Sequence, residues 1–176
     1  MTPRDRAGIG RRRGRSPGQT LVEFALVLPV FLLLFFGVID GGRAVYMNSV
    51  VSQAAREGAR VAAVEAGWIG SSDPACNTPG GPVCPASLAA LESDVLAAAN
   101  RNVAPFGPIV KTRLYLSCDA PGSAPTGAWT TQSCTANTPG NLVSVRLELE
   151  YTAFTPIIGQ LLPQVWLSGS ATMVIN

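Results

Sequence analysis

The apolar run from Leu21 to Ile39 limits what this chain can become more than any other stretch in it. As a helix its roughly 19 residues extend about 28 Å, close to the thickness of one bilayer core. Glu23 is the lone charge within it, and Pro29 and Gly37 are its only helix-weakening residues. A chain of 176 residues has room for one such membrane segment and one modest exported domain.

Charge is placed unevenly around this run. The net charge of +2 hides a leader carrying Arg4, Arg6, Arg11, Arg12, Arg13 and Arg15 against Asp5 alone. A basic head beside a spanning helix reads as a positive-inside anchor, with the N-terminus cytoplasmic and the C-terminal part outside. No aromatic residues interleave with the arginines, so nucleic-acid binding is not expected. The leader could instead be the n-region of a secretory signal, with Phe24 to Ile39 as its h-region. No A-x-A-like cleavage site follows, however; Asp40-Gly41-Gly42-Arg43 does, and an uncleaved anchor fits better.

The chemistry-bearing residues argue against an enzyme. The chain contains no histidine, which removes Ser-His and Cys-His nucleophile pairs and most catalytic zinc sites. Asp73, Glu92, Asp94, Asp119, Glu148 and Glu150 form no paired motif, and Lys111 is the only lysine. No catalytic residue, metal or cofactor is expected.

Cys76, Cys84, Cys118 and Cys134 all follow the apolar run, and none of their spacings is C-x-x-C. On the exported side an even count points to disulfides rather than metal. Three connectivities are open. Cys76–Cys84 and Cys118–Cys134 are preferred, because each pair brackets a Gly/Pro-rich loop that a short bridge would staple; four free thiols are the alternative.

Beyond Asp40 the helical spacing continues. Met47, Val50, Val51, Ala54, Gly58, Val61 and Ala62 recur on one face over residues 40–66. Ala54, Ala55, Gly58, Ala59, Ala62 and Ala63 would let another surface approach closely, either this chain's own sheet or a partner helix. The sheet is preferred. Arg56, Glu57 and Arg60 read as a solvated face, with Glu57 able to reach Arg60. After a loop over 67–86, Ser87 is placed to cap a second helix with Leu88, Leu91, Val95 and Ala98 on one face, ending near Asn100. Val110 to Cys118 and Leu142 to Tyr151 alternate as strands, and Trp166 to Ile175 reads as a final strand. A short strand around Trp129 to Ser133 is a further candidate. Pro156 to Pro163 reads as a Pro-bounded turn of helix, packed on the domain or exposed as a contact or membrane-surface patch.

Gly18-Gln19-Thr20-Leu21-Val22-Glu23-Phe24 resembles the processing site of type IV pilin-like proteins, which a prepilin peptidase cuts after the glycine. A cut there would leave the ammonium of Gln19 one helical turn from Glu23. The longer run resembles the TadE-like family of tight-adherence pilus assembly proteins. Its marks are Val22-Glu23-Phe24-Ala25-Leu26-Val27-Leu28-Pro29, then Gly42-Arg43, then Ala55-Arg56-Glu57-Gly58-Ala59-Arg60. The resemblance implies a structural role, as a membrane-anchored minor pseudopilin or assembly factor of a type IV-like pilus. It implies as partners the prepilin peptidase, other pseudopilins, the major pilin and the inner-membrane assembly platform. The alternative is a permanent single-pass anchor displaying an envelope-binding domain.

The expected fold is α+β and pilin-like. Residues 1–18 would be a cytoplasmic leader, 19–39 a transmembrane helix, 40–66 its amphipathic continuation, and 67–176 an exported domain. In that domain the helix would pack on a small antiparallel sheet of three or four strands.

Overall fold

Pro17 to Glu65 form one unbroken helix, α1 (Pro17–Glu65), extended by a 3-10 turn over Ala66–Trp68. The structure is a computed structural model that describes residues 17–110, 113–121, 134, 137–155, 159–160 and 164–176. The chain divides into two compact units, one ending at Ile39 and one from Asp40 to Asn176.

In the first unit the apolar run is helical throughout and its side chains are exposed. Leu21, Leu26 and Val30 are each about two-thirds accessible. Pro29 lies inside the helix without ending it, although it removes one backbone donor and crowds the preceding turn. Phe31 stacks on Phe35, ring centroids 6.1 Å apart, and Phe35 meets Phe36 edge-on at 5.7 Å. This helix is long and apolar enough to cross a membrane.

The second unit is α+β. Its helices are the remainder of α1 and α2 (Leu88–Val103); its strands are β1 (Leu114–Asp119), β2 (Leu142–Tyr151) and β3 (Val165–Val174). The strands form one antiparallel sheet in the order β1-β2-β3. The expected α+β class, with a long N-terminal helix and a small antiparallel sheet, is what the structure shows. The short strand expected around Trp129 to Ser133 and most of the Pro156 to Pro163 turn lie outside the described residues.

Period-two alternation explains the sheet. Val143, Val145, Leu147, Leu149 and Tyr151 of β2 are buried, joined by Leu114, Leu116 and Cys118 of β1. Against them pack Met47, Val51, Ala54, Ala55, Ala59, Ala62 and Ala63 of α1 and Leu91, Val95, Ala99 and Val103 of α2. The small-residue face of α1 therefore covers its own domain. Two glycines show how close the approach is. A Cβ at Gly169 of β3 would sit 2.7 Å from the Val51 carbonyl oxygen, and one at Gly58 would sit 3.2 Å from Val95 Cγ1.

The strands also fix a direction. The Asn176 N–H donates to the Ala63 carbonyl at 3.0 Å. Gly169 lies over Val51 and Ser52, and Tyr151 reaches Asp40. Since Leu142 pairs with Val174 and Tyr151 with Val165, β2 runs antiparallel to α1 and ends beside Asp40.

Two boundaries differ from those read in the sequence. The strand expected from Val110 begins at Leu114. Asn100 explains this: its side-chain amide donates to the Ile109 carbonyl at 3.2 Å and accepts from the Ile109 N–H at 2.7 Å. Arg113 N–H then turns back to the Val110 carbonyl at 2.9 Å, and Val110 stays exposed. Helix α2 runs three residues past Asn100, because Ala98, Ala99 and Val103 continue its buried face, and Ala104–Phe106 follow as a 3-10 turn holding the proline. Its start is capped by Ser87, whose Oγ accepts from the Ala90 N–H at 3.4 Å.

Candidate functional site

In the first unit, Gly18, Gln19, Glu23 and Phe24 occupy the opening turns of α1 and are exposed. The Gln19 side-chain amide donates to Glu23 Oε1 at 3.3 Å, the i,i+4 geometry that brings residue 19 and the carboxylate together on one face. Gly18 itself is helical. It lies in the first turn, where N–H groups have no partner four residues back, so opening the backbone there breaks few bonds.

In the second unit the described residues with several polar partners include Asp40, which stands at the head of the domain. Its carboxylate accepts from the Phe154 N–H at 2.9 Å, the Thr155 N–H at 3.2 Å and the Thr155 hydroxyl. Its main-chain carbonyl accepts from the Tyr151 hydroxyl at 2.9 Å. One turn on, Arg43 donates to the Thr152 carbonyl at 3.2 Å. These bonds clasp the start of the domain's helix to the segment leaving β2. The Thr155 hydroxyl, then the two backbone donors and the Arg43 charge, hold the Asp40 carboxyl below its ordinary range against the opposing effect of burial. Burial, with the Asp40 charge nearby, pushes the Tyr151 phenol up. Gly42 lies between the two clasp residues of α1, and none of the described residues approaches its Cβ position within 4 Å.

Arg56, Glu57 and Arg60 form the outward face of α1 opposite the core. Arg60 grips Glu57 through two bonds of 2.7 and 3.1 Å, and this lowers the Glu57 carboxyl, with the Arg60 and Arg101 charges adding to it. Gly58, between them in sequence, faces inward against Val95 and Val145. A second charged group lies on the sheet. Arg113 meets Glu148 at 3.2 Å, Arg146 meets it at 3.1 Å, and the Arg113 guanidinium lies 3.8 Å from the Trp166 ring centroid.

The cysteines pair as Cys76–Cys84 and Cys118–Cys134. The first bridge closes a loop further tied by Asn77, whose side chain donates to the Cys84 carbonyl and accepts from its N–H. The second fastens the end of β1.

Two residues were passed over in the sequence. Asp40 carried no local signal, because its partners lie more than about 100 residues away and non-local pairing leaves no short-range pattern. Glu65, the last residue of α1, is only 8% exposed, and its Oε2 has no hydrogen-bond partner among the described residues. Burial, assisted by the Asp94 charge, pushes its carboxyl up to about 7. Among the described residues, no three His, Cys, Asp or Glu side chains are placed to hold a metal ion.

A helix long and apolar enough to cross a membrane, continuing into a disulfide-stapled α+β unit, suggests a single-pass membrane-anchored protein. Residues 18–60 match the family model described as TadE-like protein. The match runs from Gly18 through Arg60, so it takes in Glu23, Pro29, Gly42-Arg43 and the Arg56 to Arg60 motif. The TadE-like resemblance read from those residues is thereby borne out. No curated protein and no solved structure matches the chain.

Proposed function

We propose that this chain is a structural component or assembly factor of a tight-adherence, type IV-like pilus, acting as a membrane-anchored minor pseudopilin. The observation that carries the reading is the TadE-like match over residues 18–60, which starts at the glycine of the motif. Tad pilus-associated proteins of this family are typically structural, and the single long apolar helix accords with a membrane anchor.

In this reading residues 1–18 are a cytoplasmic leader and 19–39 cross the inner membrane. Residues 43–176 are displayed outside. The prepilin peptidase cuts after Gly18, and Glu23 then compensates the new ammonium of Gln19 on its own or a neighbouring subunit. The spacing supports that role: residues 19 and 23 are four apart on one helix, the interval that puts them on one face. Partners would be the peptidase, other pseudopilins, the major pilin and the inner-membrane assembly platform.

A second reading is a permanent single-pass anchor whose domain binds an envelope partner. A long apolar helix is equally what such an anchor requires. Intact mass and the N-terminal peptide of the protein from native membranes, with and without the prepilin peptidase, separate the two. A chain starting at Gln19 only when the peptidase is present supports the pseudopilin. A chain keeping its arginine leader in both cases sinks processing and leaves the fixed anchor.

A further inference from the structure

Phe154 is 71% exposed, yet its backbone is held: its own N–H donates to Asp40 Oδ1 at 2.9 Å, and Thr155 beside it donates twice to the same carboxylate. Asp40 is the residue that follows Ile39, the last of the apolar run. Hydrocarbon that accommodates the run ends there, and the headgroup layer beyond it is about 5–7 Å deep on each side. A side chain bonded through its backbone to Asp40 is within that layer's reach. The direction of β2 agrees. Its residues advance along α1 toward Asp40, so the segment leaving at Tyr151 lies at the Asp40 end of the domain.

We propose that Phe154 is an interfacial lipid contact, its ring seated at the headgroup boundary of the bilayer that the run 21–39 crosses; this rests on the membrane-anchored reading above. An exposed aromatic ring is stabilised at that boundary, where its apolar body leaves water without any polar group entering hydrocarbon. Arg43 adds a matching charge. Its guanidinium is held 3.2 Å from the Thr152 carbonyl, on the same segment as Phe154, where an anionic headgroup would meet it. The clasp thus does more than join two pieces of chain: it keeps the Phe154 backbone bonded to Asp40, the residue that follows the apolar run.

The test places a photoreactive side chain at three positions of the full-length protein. Phe154→p-benzoylphenylalanine probes the proposal, Phe31→p-benzoylphenylalanine probes the anchor, and Val174→p-benzoylphenylalanine serves as a control. Val174 is exposed at the opposite end of the sheet, about 30 Å along the strand from Val165. Each variant is reconstituted in vesicles of phosphatidylethanolamine and phosphatidylglycerol, irradiated, and read by mass spectrometry. Both disulfides are checked by the mobility change on reduction, which confirms that each variant is folded. Lipid adducts at residues 31 and 154 and none at 174 are expected. Lipid adducts at 31 without any at 154, or protein adducts alone at 154, overturn the lipid contact while the anchor stands. Equal labelling at 174 also overturns it, since the ring would then have no special depth. Absence of lipid adducts at 31 overturns the anchored reading and this proposal with it.

Discussion

The Tyr151 hydroxyl donates to the main-chain carbonyl of Asp40 across 2.9 Å, joining the last residue of β2 to the first residue of the folded domain. The bond is buried, so water does not replace it when it is removed. Tyr151→Phe should destabilise the domain by about 0.5–1.5 kcal/mol, the range for one intramolecular hydrogen bond. Asp40→Ala should cost more, because it strands the Phe154 and Thr155 donors together. Thermal unfolding in detergent, followed by tryptophan fluorescence, checks the order: wild type above Tyr151→Phe, and Tyr151→Phe above Asp40→Ala.

Acid should loosen the same clasp. The Asp40 carboxyl is held below its ordinary value of 3.8, so its contribution is present above the unfolded-state value. It is lost as pH falls through the lower folded-state value. The unfolding midpoint of wild type should therefore fall more steeply below pH ~4 than that of Asp40→Asn, which carries no titrating group.

Glu65 predicts the opposite slope. Its carboxyl is raised from 4.5 to about 7, so the folded state binds a proton that the unfolded state releases between those values. Stability is greatest below the unfolded-state value and declines as pH rises toward 7. Glu65→Gln should flatten this decline and raise stability at neutral pH by on the order of 1–3 kcal/mol, since the amide carries no charge to bury. Denaturant unfolding at pH 5 and pH 8, with the difference compared between wild type and variant, reads the effect.

Gly169 should tolerate no side chain. The nearest atoms to an added Cβ are backbone atoms of Val51 and Ser52, at 2.7 and 2.8 Å, and they move only if α1 shifts from the sheet. Gly169→Ala should cost about 1–3 kcal/mol, as overpacking does. Gly58→Ala should cost less, because its nearest neighbour is the Val95 methyl at 3.2 Å. Side-by-side denaturation of the two variants tests the ranking.

The Cys76–Cys84 and Cys118–Cys134 bridges close loops with sequence separations of 8 and 16. On the chain-entropy account each should stabilise the domain by about 2–3 kcal/mol, the longer loop slightly more. Replacing either pair by serines, and measuring the unfolding midpoint against wild type and fully reduced protein, separates their contributions.

What was legible in the sequence was what short-range pattern encodes. The bounds of β2 follow from alternation at Leu142 to Tyr151, and the start of α2 follows from Ser87. The membrane run and the family motif stand in contiguous residues. Illegible were features decided by distant partners. Asp40 looked like a polar residue ending an apolar run, because the residues it binds come after the whole of β2. Val110 and its neighbours alternate like a strand, but Asn100 claims the Ile109 backbone first. Glu65 carries no short-range mark of burial, and only the packed domain hides it.

The close fit of α1 against the sheet also has a consequence in time. Val51 and Ala55 are made early, whereas Gly169, which lies against the Val51 backbone, comes about 120 residues after Val51 in the chain, and nascent chains grow at about 5–20 residues per second. For several seconds of synthesis the small-residue face of the helix is therefore bare while the apolar run ahead of it is already complete. During that interval the same surface that later closes on β2 and β3 is open to any other helix nearby.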